Sequence, residues 1–122
     1  MAVVPNPDQF ARFAAATDTG PVVMLNLIKF SDRAEYETYG GRVLQMVHEQ
    51  KGRLLWHGES RQTLIGEADW DYVALVEYPD RQAFLSMVTA PEYQRIHAHR
   101  EAGIEHTVLL ACDALTPPAT GE

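Results

Sequence analysis

The chain is nearly devoid of cysteine: Cys112 is the only one in 122 residues. That excludes an intrachain disulfide and suits a reducing compartment. Long apolar runs are also missing. None approaches the roughly 20 residues that span a bilayer, and the opening MAVVPNPDQF lacks the basic region and apolar stretch of a secretory signal. A cytoplasmic protein without membrane contact is expected. Basic charge is scarce, with ten Lys and Arg against seventeen Asp and Glu, a net charge of −7 and no basic run. Nucleic acid is therefore an unfavourable partner, because phosphate binding needs a basic face. There is no H-E-x-x-H and no cysteine pair, and His97 and His99 stand two apart on a predicted helix, so they point different ways. No metal is expected. Glycine-rich phosphate loops and dinucleotide fingerprints are absent, and Ser60 and Ser86 have no nucleophile-elbow context. No cofactor is expected.

What is present is a chain of one-domain length, 46% apolar, enough to bury a core without staples. Asn6-Pro7 reads as a helix start, with Phe10, Phe13 and Ala14 on one face. Residues 1–20 form this helix and a turn. Val22 to Phe30 is a core strand, apolar on both faces except for Asn26. Asp32 caps the next helix, with Glu35 placed for a capping box. Its apolar stripe is Tyr36, Tyr39, Val43, Met46 and Val47. The Gly40-Gly41 pair inside it costs about 1 kcal/mol per glycine relative to alanine, so close packing or a bend is expected there. Gly52 is the expected stop.

LLWHG and QTLIG, between Arg53 and Gly66, are strand-like. Trp70 to Tyr78 is the third strand, ended by Pro79. Asp80 caps a helix, Thr89-Ala90-Pro91-Glu92 reads as a second capping box, and Gly103 closes the helix that follows. Glu105 to Ala114 is the last strand, with Cys112 as a small inert hydrophobe on it. Residues 115–122 read as a flexible tail.

After the first helix the order is β-α-β-β-α-β over residues 21–114, the ferredoxin-like α+β pattern: a four-stranded antiparallel sheet with its helices on one face. The other face is then bare, yet alternation makes it apolar too. A large bare apolar face predicts a partner, and the economical one is a second copy, sheet against sheet, in a homodimer enclosing a barrel.

PVVMLNLIKF and GEADWDYVALVEYPDRQAFLSMVTAPEYQ resemble the domain-of-unknown-function 1330 family. Gly66 to Trp70, Val73 to Pro79 and Ala90 to Gln94 follow that family's order and spacing, and the likeness covers about residues 20 to 113. The resemblance implies the dimeric α/β-barrel superfamily. Its members include cofactor-free monooxygenases, haem-degrading oxygenases, polyketide cyclases and lactone isomerases. The family itself implies no single reaction. The N-terminal helix and the Gly40-Gly41 pair depart from its short members.

Asn26 is the sharpest candidate for chemistry. An amide in an apolar strand costs free energy unless hydrogen-bonded, so it either holds a substrate carbonyl or enolate oxygen or bonds to neighbouring backbone. Glu77 is expected on the open face or at the strand end, as a general base or as the partner of an arginine. His57, beside Trp56, is a second candidate for moving a proton. Tyr93, His97 and Arg100 share a helical face and fit a polar rim for a ligand carboxylate. Met24, on the row of Asn26, and Trp70 complete the expected substrate contacts. The expectation is a small homodimeric barrel protein that binds a small organic molecule between sheet and helices. A cofactor-free monooxygenase, cyclase or isomerase would use it on an activated carbonyl or aromatic substrate. The alternative is a non-catalytic ligand-binding or stress-response module.

Overall fold

The computed structural model describes residues 4–17 and 19–115. Asn6 opens α1 (Pro7–Ala15), its side-chain oxygen accepting from the backbone N–H groups of Asp8 and Gln9. There follow β1 (Val22–Phe30), α2 (Arg33–Glu49), β2 (Arg53–Glu59), β3 (Tyr72–Tyr78), α3 (Arg81–Thr89), α4 (Pro91–Gly103) and β4 (Ile104–Cys112). The strands form one antiparallel sheet in the order β2-β3-β1-β4. This is the ferredoxin-like α+β arrangement, with the second helix divided at Pro91. β1 is central, which explains why it is apolar throughout.

The register sorts the two faces. Asn26 lies opposite Ala74, Met24 opposite Val76 and Val22 opposite Tyr78. Val22, Met24 and Tyr78 pack with Tyr39, Met46, Val47, Met87, Tyr93 and Ile96 of the helices. The row of Asn26 therefore faces the helices. The alternate row, Val23, Leu25 and Leu27 with Val73, Leu75 and Leu110, makes the other face, on which none of the described helices packs. At its margins Trp56 is 55% and Leu110 48% exposed.

Helix α2 crosses α4 very closely at one end. A Cβ added to Gly103 would come within 2.5 Å of the Tyr36 backbone nitrogen. The Gly103 carbonyl also accepts from the Ser31 and Asp32 N–H groups. Higher up, the His99 ring nitrogen Nδ1 lies 2.7 Å from Glu35.

Several local expectations change. QTLIG forms no strand: β2 stops at Glu59, Ser60 N–H donates to Asp71 carbonyl, and the chain leaves the sheet as a loop with Leu64 and Ile65 85% and 96% exposed. The β2 ladder ends at the pair Glu59–Tyr72, so residues beyond it have no strand to pair with. Gly52 is not the left-handed residue after α2. Lys51 takes that conformation, at φ 63°. Gly52 is needed for space, since a Cβ there would lie 2.6 Å from the Glu77 carbonyl. Thr89 does not cap α4. It still belongs to α3 and donates back to the Leu85 carbonyl, leaving Ala90 as a cap without a side-chain bond. Asp32 does cap α2, but the Glu35 carboxylate turns to His99 rather than completing a box. Cys112 stands partly exposed near the end of an edge strand, not in the core. The tail beyond Leu115 lies outside the described residues.

Candidate functional site

One cavity of about 1250 Å³ opens between the helix-facing side of the sheet and α1, α2 and α4. Its walls follow from the periodicity of each element. β1 and β3 turn Met24, Asn26, Tyr72, Ala74, Val76 and Tyr78 toward it. Tyr36 and Tyr39, three apart on α2, share one helical face and enter from above, and Tyr93 joins them from α4. Phe30 and Phe84 close the sides, and Phe10 and Phe13 come from α1. All four phenylalanines and all five tyrosines of the chain thus line this one space.

The aromatic rings touch in series. Tyr36 lies 5.3 Å from Phe30, 5.5 Å from Tyr39 and 5.9 Å from Tyr72, and Tyr39 meets Tyr93 edge-on at 6.0 Å. Phe84 meets Phe13 and Tyr78 edge-on. These are the offset and edge geometries that the ring quadrupoles favour. Burial pushes the phenols of Tyr36 and Tyr78 above their usual range and that of Tyr39 well above it, with neighbouring tyrosines adding to the effect. They are neutral hydrogen-bond donors at physiological pH.

Polar groups are few and specific. The Asn26 amide nitrogen donates to the carbonyls of Met24 (3.2 Å) and Ala74 (3.4 Å). Because those partners are acceptors, the NH2 must face them, and the amide oxygen is left to accept. The amide thus bonds to neighbouring backbone, the second of the two readings open from sequence, and its oxygen is the group left to accept. The hydroxyls of Tyr39 and Tyr93 are 2.8 Å apart. His57 Nδ1 is 2.8 Å from the Tyr72 hydroxyl, and His97 Nδ1 is 2.8 Å from Glu101.

Of the residues singled out in the sequence, Asn26, His57, Met24, Tyr93, His97 and Arg100 line the cavity. Glu77 does not. It lies on the opposite face of the sheet, ion-paired with Arg53 at 2.9 Å. Trp70 does not line it either. It precedes β3 and packs edge-on against His106 at 5.1 Å. Tyr36, Tyr39, Tyr72 and Tyr78 line it too, although in the sequence they occupy apolar positions of their elements and carry no mark of a site. The available signal was that the apolar stripe of α2 carries tyrosine, whose hydroxyl needs a partner when buried. Gly40 and Gly41 also line the cavity. Neither is closely packed: an added Cβ would be 4.0 Å from the Tyr36 ring at Gly40 and would meet nothing at Gly41. Among the described residues there is no group of three or more His, Cys, Asp or Glu placed to hold a metal, and no helix long and apolar enough to cross a membrane.

A four-stranded antiparallel sheet with its helices on one face and a cavity between them is a ferredoxin-like α+β fold. Within that class the chain belongs to the domain of unknown function family DUF1330, whose model matches residues 22–113. It is similar to RPA0582, a protein of unknown function from Rhodopseudomonas palustris. The two are 31% identical with a TM-score of 0.89, over 94% of this chain and 98% of that one. SnoaB, a cofactor-independent oxygenase from Streptomyces nogalater, is 20% identical with a TM-score of 0.57, over 81% of this chain and 99% of that one. A dabb family protein with a ferredoxin-like fold from Mesorhizobium loti is 14% identical with a TM-score of 0.54, over 80% and 99%. At these lower identities the likeness is one of fold. No curated protein matches the sequence.

Proposed function

We propose that this protein binds a flat, largely apolar organic molecule in the sheet–helix cavity, and that it acts on it as a cofactor-free enzyme of the monooxygenase, cyclase or isomerase type. One observation carries the binding reading: every phenylalanine and tyrosine of the chain lines a single space. A core built for stability alone would distribute its rings and fill the gap between them, because interiors pack at crystal-like density. Here Gly40 and Gly41 leave room where alanine would fit. Aromatic walls with a few placed polar groups are the usual make-up of a small-molecule site. The catalytic part of the reading draws on fold likeness to SnoaB, described as a cofactor-independent oxygenase.

The protein works as a homodimer in this reading, joined through the sheet face that carries Leu25, Leu27, Leu75 and Leu110. A contiguous apolar face of this kind is rare on a monomer.

Binding is tested by titrating the protein with 2-naphthol, a flat ring bearing one hydroxyl, and following its fluorescence. Saturable binding at one site per chain is expected. Asn26→Ala should weaken it by about 1 kcal/mol, the worth of one hydrogen bond, beside a loss of stability of similar size from the bonds to the Met24 and Ala74 carbonyls. Binding that is equally tight when Phe84 and Tyr36 are both replaced by alanine would place the probe elsewhere and sink the reading.

A further inference from the structure

Two of the five histidines line the cavity, and each is bonded through Nδ1, to partners of opposite character. Glu101, one turn along α4 from His97, presents a carboxylate oxygen 2.8 Å from Nδ1. A carboxylate only accepts, so Nδ1 of His97 carries a proton, and whenever the ring is neutral Nε2 holds the lone pair. Across the sheet edge, Tyr72 presents a hydroxyl 2.8 Å from Nδ1 of His57. A phenol is a better donor than a neutral imidazole N–H. Burial also raises the proton affinity of Tyr72, so it stays neutral. Nδ1 of His57 therefore accepts, and its proton sits on Nε2. The two rings are held in opposite tautomers by their neighbours.

We propose that His97 is the proton acceptor of the cavity, with Glu101 as its positioning residue, that His57 is a hydrogen-bond donor held in place by Tyr72, and that the ligand class is a ring compound with an acidic hydroxyl, a phenol or an enol. This rests on the cavity being a ligand site. The step balances simply. Nε2 of His97 forms a bond to the ligand proton, the O–H bond breaks, and its electron pair stays on the ligand oxygen as phenolate or enolate. The new imidazolium keeps its Nδ1–H on the Glu101 carboxylate, which stabilises the charge. His57 donates a hydrogen bond but does not pass on a proton, because refilling its ring from Tyr72 would leave a half-buried tyrosinate. Asn26, whose amide nitrogen is taken by backbone carbonyls and whose oxygen is left to accept, accepts from a second ligand hydroxyl or N–H.

The test uses the full chain and begins with the rings themselves. Long-range proton–nitrogen correlation spectra of the 15N-labelled protein separate the tautomers. His97 should appear with hydrogen on Nδ1 and His57 with hydrogen on Nε2. Glu101→Ala, a change at a half-exposed side chain, should turn His97 toward the Nε2–H form while leaving His57 as it was. A native His97 already in the Nε2–H form overturns the proposal. The second arm uses 4-nitrophenol, whose phenolate is yellow. The probe bound by the native protein should be ionised to a larger extent than by His97→Gln, by about ten-fold or more at the same pH, equivalent to one unit of proton affinity. Glu101→Ala should fall between. Binding with the same ionised fraction in His97→Gln sinks this inference alone. Failure of the native protein to bind either 4-nitrophenol or 2-naphthol sinks the ligand reading and this inference with it.

Discussion

The hydroxyl of Tyr39 on α2 lies 2.8 Å from that of Tyr93 on α4, and both side chains are buried. Of the two phenol protons one serves this bond, and the other remains for an acceptor in the cavity. The pair is therefore a tie between helices that leaves one phenol proton over. Removing either hydroxyl leaves the other buried and unpaired. Tyr39→Phe and Tyr93→Phe should each cost about 1–2 kcal/mol, and the double variant clearly less than their sum. Urea unfolding of the four proteins measures this, and strictly additive costs would show that the hydroxyls do not act together.

The same burial sets the response to alkali. Tyr36, Tyr39 and Tyr78 bind their protons more tightly when folded than the ordinary value of 10.0, chiefly because the dry surroundings disfavour tyrosinate. Below about pH 10 both states keep these protons and stability is unaffected. Above it the unfolded chain releases them first, so the folded state holds more protons and stability falls as pH rises. The expected slope is up to about 1.4 kcal/mol per pH unit for each of these tyrosines. Tyrosinate absorbance should then grow mainly together with the loss of helical circular dichroism. A single early phase with the helices intact would contradict the burial argument.

The glycines separate into two kinds, and alanine should distinguish them. At Gly103 the new methyl would strike the Tyr36 backbone, and a loss of about 2–3 kcal/mol is expected from overpacking. At Gly41 there is open space, and the helix should gain about 0.5–1 kcal/mol. Thermal unfolding of Gly41→Ala and Gly103→Ala reads both signs. A destabilised Gly41→Ala would mean that this stretch of α2 needs glycine for its backbone.

Assembly has its own check. Leu27→Lys and Leu75→Lys each put a charge in the middle of the bare sheet face. Light scattering at micromolar concentration should give twice the chain mass for the native protein and the chain mass for either variant, without loss of secondary structure. A native protein of single-chain mass would sink the sheet-to-sheet dimer.

The architecture was legible because local signals agreed with one another. β1 is bounded at Val22 and Phe30 as its apolar run implies, and Asn6, Asp32 and Asp80 cap the helices they precede. The division at Pro91 was equally visible. Two of the local differences arose where side-chain chemistry had two uses. Thr89 can cap the next helix or bond back to its own, and Glu35 can close a box or reach His99; the tertiary partner decided each. The cavity was only half legible. Alternation and helical spacing predict which residues share a face, but not how far apart two faces stand. The gap between α2 and β1 that makes Tyr36, Tyr39 and Tyr72 into walls is a property of the whole packing. The sense of the Asn26 amide likewise depends on the carbonyls of Met24 and Ala74, which only the folded sheet brings to it.

Helix α1 supplies a wall of the cavity, yet none of its residues is buried. Phe13 attaches it, edge-on to Phe84 and under the Arg81 guanidinium at 4.5 Å. Amide hydrogens of such a segment exchange with solvent long before those of β1 and β3. A molecule resting against Phe10 and Phe13 would slow that exchange without touching the sheet. Deuterium uptake over residues 6–16 thus offers a gauge of occupancy that requires no knowledge of the reaction, and a compound library can be ranked by it directly.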